Sequence, residues 1–204
     1  GHRSPWSDLI SGLIYVRNQP ILVALISMGV VAGLFASSLP TLFPVFATEN
    51  LGGDIGLYGG LLLSNGIGGL IGAAVLANFV RVRDSSFVQV LAGIGLGIGF
   101  VLLAGVGWIS IAIIIIIGIV GACSVSFGTI NNTLMQSLLD DAYRGRVMSI
   151  HQLGWGAAAI GGLVVGFLAG IINVSFTFAL CGSITAISTA AISLFVSRRL
   201  RERV

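Results

Sequence analysis

The side chains of this chain that could do chemistry away from water are almost all uncharged. Ser126, Thr129, Asn132, Thr133 and Gln136 recur at helical spacing, and at 100° per residue they share an arc of roughly 120°. Asn131 and Ser124 point the other way. Ser64 and Asn65 form a second polar spot, and His151, Gln152 and Trp155 a third. Amides, hydroxyls and an indole act by hydrogen bonding and stacking, and in hydrocarbon they must find partners or water. Two uses fit them: hydrogen bonds between helices, or the lining of a path for a small amphipathic molecule.

Catalysis asks for more than this. Ser27, Ser64, Ser124, Ser126 and Ser183 lack a Gly-x-Ser-x-Gly context, which weakens an intramembrane hydrolase reading. Lys is absent altogether, so no phosphate-cradling glycine loop can be completed. His151 is the one ionisable candidate at depth. It follows Arg146 closely, within about 10 Å of the cytoplasmic helix end at about 1.5 Å per residue, and reads as an interfacial hydrogen-bonding histidine or a titrating group. With no second inner histidine, no metal site is expected. Cys123 and Cys181 fall in apolar runs and read as small apolar residues, without a disulfide. The expectation is a protein without catalytic residues, metal or cofactor.

The elements that must carry these residues follow from composition. Hydrophobic residues make up 56% of the 204 residues and charged ones 8%, with a mean hydropathy of +1.06. Ten basic and seven acidic side chains cannot clothe a water-soluble body, since soluble chains carry roughly 25% charge. Disorder is excluded too, because it needs low hydrophobicity and high charge. The chain is an all-α integral membrane protein with room for about six spans of ~20 residues.

Charge then divides it. No Asp, Glu, Lys or Arg occurs from Asn18 to Thr48, Ile55 to Val80, Ser85 to Leu139 or Val147 to Ser197. A charge at mid-helix costs about 2.5–3.5 kcal/mol on insertion scales, so these gaps are spans. The third and fourth are long enough for two each, broken near Gly105–Trp108 and Gly170–Asn173. Six helices are expected at about 21–47, 55–80, 85–107, 109–139, 147–170 and 172–197. They form one transmembrane bundle (21–197) between an N-terminal segment (1–20) and a basic tail (198–204). All ten basic residues are Arg, at 3, 17, 81, 83, 144, 146, 198, 199, 201 and 203, and all fall at one set of ends. The opposite loops hold only Glu49 and Asp54. The positive-inside rule makes the arginine side, with both termini, cytoplasmic. The pI of 9.4 therefore answers to topology and anionic lipid, with no nucleic-acid partner implied. In residues 1–20, Trp6, Leu9, Ile10, Leu13 and Ile14 share helical spacing after Ser7-Asp8. That pattern predicts an amphipathic helix on the cytoplasmic surface rather than a signal peptide. The start at Gly1-His2, without Met, reads as a fragment or a processed chain.

Thirty glycines are about twice the usual share. Gly68 and Gly72, and Ala158, Gly162, Gly166 and Gly170, stand four apart, the spacing at which helix backbones approach closely or slide. Pro40 and Pro44 lie in the outer half of the first span and should bend it.

Several stretches resemble a known family. Residues 7–20, SDLISGLIYVRNQP, resemble the linker before the seventh helix of major facilitator superfamily permeases. Pro40-Thr41-Leu42-Phe43-Pro44-Val45-Phe46-Ala47, with Gly52-Gly53 and Tyr58-Gly59, resembles that helix's outer end and the start of the next. The most specific match is Asp141-Ala142-Tyr143-Arg144-Gly145-Arg146-Val147-Met148-Ser149. It resembles the cytoplasmic loop between the tenth and eleventh helices in the branch of enterobactin-type siderophore exporters and macrolide efflux pumps, and Gly154, Gly161, Gly162 and Gly166 after it fit the same branch. The resemblance spans nearly the whole chain but only the C-terminal half of such a permease.

That resemblance implies a bacterial cytoplasmic-membrane efflux permease working by alternating access. The six-helix half would pair with an N-terminal six-helix half. Its first, second, fourth and fifth helices would line a cavity, with Ser64, Asn65, Ser126, Thr129, Asn132, Thr133, Gln136, Gln152 and Trp155 as substrate candidates. Asp140, Asp141, Arg144, Arg146 and Arg81 would belong to a cytoplasmic gate. The segment Gly72 to Arg81 lacks the Asp of the superfamily's Gly-x-x-x-Asp-Arg-x-Gly motif. The partners implied are the bilayer, an N-terminal half or a second copy (a homodimer), and a small molecule of the drug or siderophore class. The alternatives are a self-pairing half acting as a uniporter, and a membrane scaffold that transports nothing.

Overall fold

Proline, asparagine and charge decide where the helices begin and end. The computed structural model describes residues 5–50, 55–79, 85–106 and 110–201, and every regular element among them is helical. In chain order these are α1 (Pro5–Arg17), α2 (Pro20–Val31), a π-helical turn (Ala32–Ala36), a 3-10 turn (Leu39–Leu42), α3 (Phe43–Asn50), α4 (Ile55–Phe79), α5 (Ser85–Gly105), α6 (Ser110–Leu138), α7 (Asp141–Ile172) and α8 (Val174–Arg201). Among the described residues, six segments are long and apolar enough to cross a bilayer, the first running from Pro20 to Glu49.

That first segment does more than bend. Pro20 opens α2 in its first turn, after an extended Gln19, where its missing N–H loses no helical bond. Before Pro40 the ladder widens, and the Ser37 N–H reaches back five residues to the Ala32 carbonyl at 2.7 Å. The ladder then tightens into the 3-10 turn and resumes as α3. A proline without an N–H inside a span needs such local adjustments to keep backbone groups satisfied. Ser38 supplies part of the repair, its buried hydroxyl lying 2.9 Å from the Gly33 carbonyl and 3.0 Å from the Ala158 carbonyl of α7.

The fifth span begins at Asp141, a full turn and a half before the position expected from the charge gap. Charged residues stop a helix from lying in hydrocarbon but do not stop it from being a helix in water. Asp140, extended at the cap, offers its carbonyl to the Tyr143 and Arg144 N–H groups, both at 3.0 Å. Asp141 places a negative charge in the first turn, the favourable end of the helix dipole. The break expected near Gly170–Asn173 falls at Asn173, whose φ of 83° ends α7. Its Oδ1 accepts the Phe176 N–H at 2.8 Å and so starts α8. Asparagine tolerates the left-handed region better than most residues.

Small residues set the helix contacts. A Cβ on Gly68 or Gly72 of α4 would run into the Gly118 and Ala122 backbone of α6. Between α5 and α8, Gly97 and Gly182 each lie against the other's carbonyl. Such approach gives van der Waals contact where lipid offers no hydrophobic drive. Gly162 and Gly166, expected at helix contacts, face open space within this chain. The glycines of α7 that do pack are Gly154, against Val30, and Gly161, next to Ser38 and the Leu34 carbonyl. Away from the arginine end, Phe178 collects Phe43, Phe46 and Phe100 at centroid distances of 6.4, 5.2 and 5.7 Å. At the arginine end a smaller cluster joins Val16 of α1 to Leu22, Leu25, Met135, Leu139 and Val147.

Candidate functional site

The polar arc expected on α6 is an exposed stripe. Thr129, Thr133 and Gln136 are exposed, with Ser126 and Asn132 half-buried beside them. Thr133 turns its hydroxyl onto the Thr129 carbonyl at 2.9 Å, and the buried Oδ1 of Asn132 has no hydrogen-bond partner. Further along the same stripe the exposed residues are Ile111, Ile115, Ile119 and Val125. On α7, Ser149 and Gln152 are exposed; the side chain of Trp155 lies outside the described residues. By contrast, beyond Ser86 every exposed position on α5 is apolar or glycine, and the exposed positions described on α8 are apolar throughout.

The other candidates serve inside the bundle. Ser64 donates to the Ile114 carbonyl of α6 at 2.6 Å and so helps to hold α4 on α6. Asn65 is half-buried, with its own carbonyl under Gly121. Asn131, on the far side of α6 from the stripe, is fully buried and donates from Nδ2 to the Leu25 carbonyl at 3.1 Å. His151 is buried at 1% exposure, and a Cβ on Gly29 of α2 would stand 3.6 Å from its Cε1 and 3.8 Å from Asn131 Oδ1. The histidine therefore looks into the bundle between α2 and α6, which its nearness to the helix end alone did not reveal. Among the described residues no group of His, Cys, Asp or Glu could hold a metal.

The expected gate residues form a cluster at the start of α7. Arg144 pairs with Asp141 at 2.8 Å on the exposed first turn. Arg146 reaches Ser11 Oγ of α1 at 3.2 Å and lies 5.9 Å from the Tyr143 ring centre. Asp140 accepts a hydrogen bond from Tyr15 Oη at 3.0 Å. Arg81 lies outside the described residues. Sequence reasoning missed Ser11, Tyr15 and Tyr143. Tyr15 and Tyr143 stack at 4.4 Å with 13° between planes, and Gly12 lets α1 approach Arg146 and Ile150. Tyr15 and Ser11 stand one helical turn apart, and that spacing was the available signal. The opposite face of α1 leaves Ile10, Leu13 and Ile14 exposed.

Six spanning helices, closely packed through small residues and carrying an exposed polar stripe, define a helical-bundle membrane protein of the transporter class. More narrowly, the chain belongs to the transmembrane secretion effector family of the major facilitator superfamily, whose sequence profile covers residues 6–203. It is 29% identical over 198 residues to the multidrug efflux pump Tap of Mycolicibacterium fortuitum, covering 96% of this chain and 47% of that protein. It is 28% identical over 165 residues to the staphyloferrin A transporter of Staphylococcus aureus (strain NCTC 8325 / PS 47), covering 80% of this chain and 41% of that protein. The chain thus spans about half the length of the curated relatives it matches. No solved structure gives a significant match.

Proposed function

We propose that the chain is the C-terminal six-helix half of an efflux permease of the bacterial cytoplasmic membrane. The assembled transporter exports small amphipathic molecules, of the drug or siderophore class, by alternating access. The observation that carries this reading is the unequal chemistry of the exposed helix faces. Exposed Thr129, Thr133, Gln136 and Gln152 sit on α6 and α7, whereas the exposed faces of α5 and α8 are apolar. An amide in contact with lipid tails is unfavourable, so the α6 and α7 face is the one that a second half covers across a wet cavity. The residues on it offer donors and acceptors without charge, which suits amphipathic substrates. The names of the two relatives support export of such molecules.

The test is dye flux in proteoliposomes containing this chain with its N-terminal half, using an amphipathic cation such as ethidium. Gln136→Leu combined with Gln152→Leu is expected to cut flux about tenfold, as losing roughly 1.4 kcal/mol of hydrogen bonding would. The same pair should leave thermal unfolding unchanged. Unaltered flux overturns the reading. Detergent-solution mass of the chain alone separates a partner half from a second copy: a stable homodimer that carries dye by itself would replace the two-half assembly with a self-paired one.

A further inference from the structure

At the arginine-bearing end, α2, α5, α6 and α8 do not close fully on one another. They leave a cavity of about 220 Å³ whose walls include Ala24, Met28, Leu134 and Val196. Gln89, in the second turn of α5, lines it. Its side chain is 3% exposed, and its Nε2 has no hydrogen-bond partner. A buried amide donor in an apolar setting is costly until an acceptor meets it. No described residue supplies that acceptor, so it must come from whatever fills the cavity.

A second hollow, of about 570 Å³, lies beside the first between α2 and α8 and shares Ala24 and Val196 with it. Its floor is apolar, with Ile192 and Phe195, and Arg17 stands at its edge. Arg17 is exposed and makes no ion pair with any described residue. A cation at the rim of one hollow, a buried amide donor beside Ser86 and Ser193 in the other, and an apolar trough between two spanning helices correspond to the three parts of a phospholipid. Those parts are the phosphate, the ester carbonyl and the acyl chain. Spanning helices meet lipid on their outer faces, and an exposed arginine at a helix end favours the anionic kind.

We propose that these two adjoining hollows together bind one anionic diacyl phospholipid. Its phosphate rests on Arg17, an ester carbonyl accepts from Gln89 Nε2, and an acyl chain lies between α2 and α8. The bound lipid ties the end of α1 to the bundle whatever the protein transports.

Native mass spectrometry of the full chain, released from detergent with phosphatidylglycerol or phosphatidylcholine, tests this. Wild type is expected to retain one phosphatidylglycerol through delipidation and to retain phosphatidylcholine several-fold less. Gln89→Leu should lower retention of phosphatidylglycerol several-fold, and Arg17→Gln should bring it down to the phosphatidylcholine level. Ala191→Phe, at an exposed position on the wall of the second hollow, blocks the trough without disturbing the core and should remove the bound lipid. Wild-type retention in either Gln89→Leu or Ala191→Phe overturns the site, leaving a hydrated cavity with ordinary surrounding lipid. Equal retention of the two lipids by wild type, or displacement by inorganic phosphate alone, overturns it as well.

Discussion

Tyr15 does two separable things, and single substitutions can tell them apart. Its hydroxyl donates to Asp140, and its ring stacks on Tyr143. Tyr15→Phe keeps the ring and removes the bond, which should cost no more than about 0.5–1.5 kcal/mol. Tyr15→Ala removes the stack as well, typically worth another 0.5–1.5 kcal/mol or so beyond burial. Hydrogen exchange of the α1 amides checks this: protection should fall slightly in the first variant and collapse in the second. Equal protection in all three proteins would mean that α1 is held by its other contacts, Val16, Gly12 and the Ser11–Arg146 bond. The α6 stripe was legible in the sequence, because period alone places Thr129, Thr133 and Gln136 together and Asn131 opposite. Ser38, Gln89 and the two tyrosines were not, because each is defined by a partner on another helix. The burial of His151 was not legible for a related reason: distance along a helix from its end says nothing about which way a side chain faces.

Helices were counted correctly from gaps in charge, since the insertion cost of an ion is large and local. Their ends were less legible, because α7 continues through Asp141 and Arg144 into water. The glycine pattern shows the same limit. Gly68 and Gly72 share the four-residue spacing of Gly162 and Gly166, yet only the first pair lies under a neighbouring backbone. Two substitutions exploit this difference. Gly68→Val must push α4 off α6 and is expected to destabilise the chain by about 1–3 kcal/mol or more, the usual cost of overpacking. Gly162→Val meets open space and should change stability by less than about 0.5 kcal/mol. Thermal unfolding in detergent measures both. In the proposed two-half assembly, a Gly162→Val variant that unfolds normally but no longer supports export would indicate that this face of α7 meets the partner half. If the two variants are equally unstable, the α4–α6 contact is not the tight one.

Across the whole chain, the placement of ionisable groups limits where a proton could travel. The long charge-free runs leave no carboxylate within them, and Glu49 and Asp54 sit at the ends away from the arginines. Glu49 is exposed; Asp54 lies outside the described residues. A coupling group must meet both aqueous sides in turn as access alternates, and a carboxylate fixed at one mouth cannot. His151, on α7, is buried beside Gly29 and faces away from the exposed stripe of α6. It would need the bundle itself to open before it could exchange a proton. If the proposed two-half assembly exports by proton coupling, the carrier therefore belongs to the partner half. In the full transporter, Glu49→Gln with Asp54→Asn, and separately His151→Gln, should each preserve export and its response to an imposed pH gradient at normal expression. Loss of the pH response in His151→Gln, with export down the substrate gradient retained, would instead make this histidine the proton carrier and place coupling inside this half.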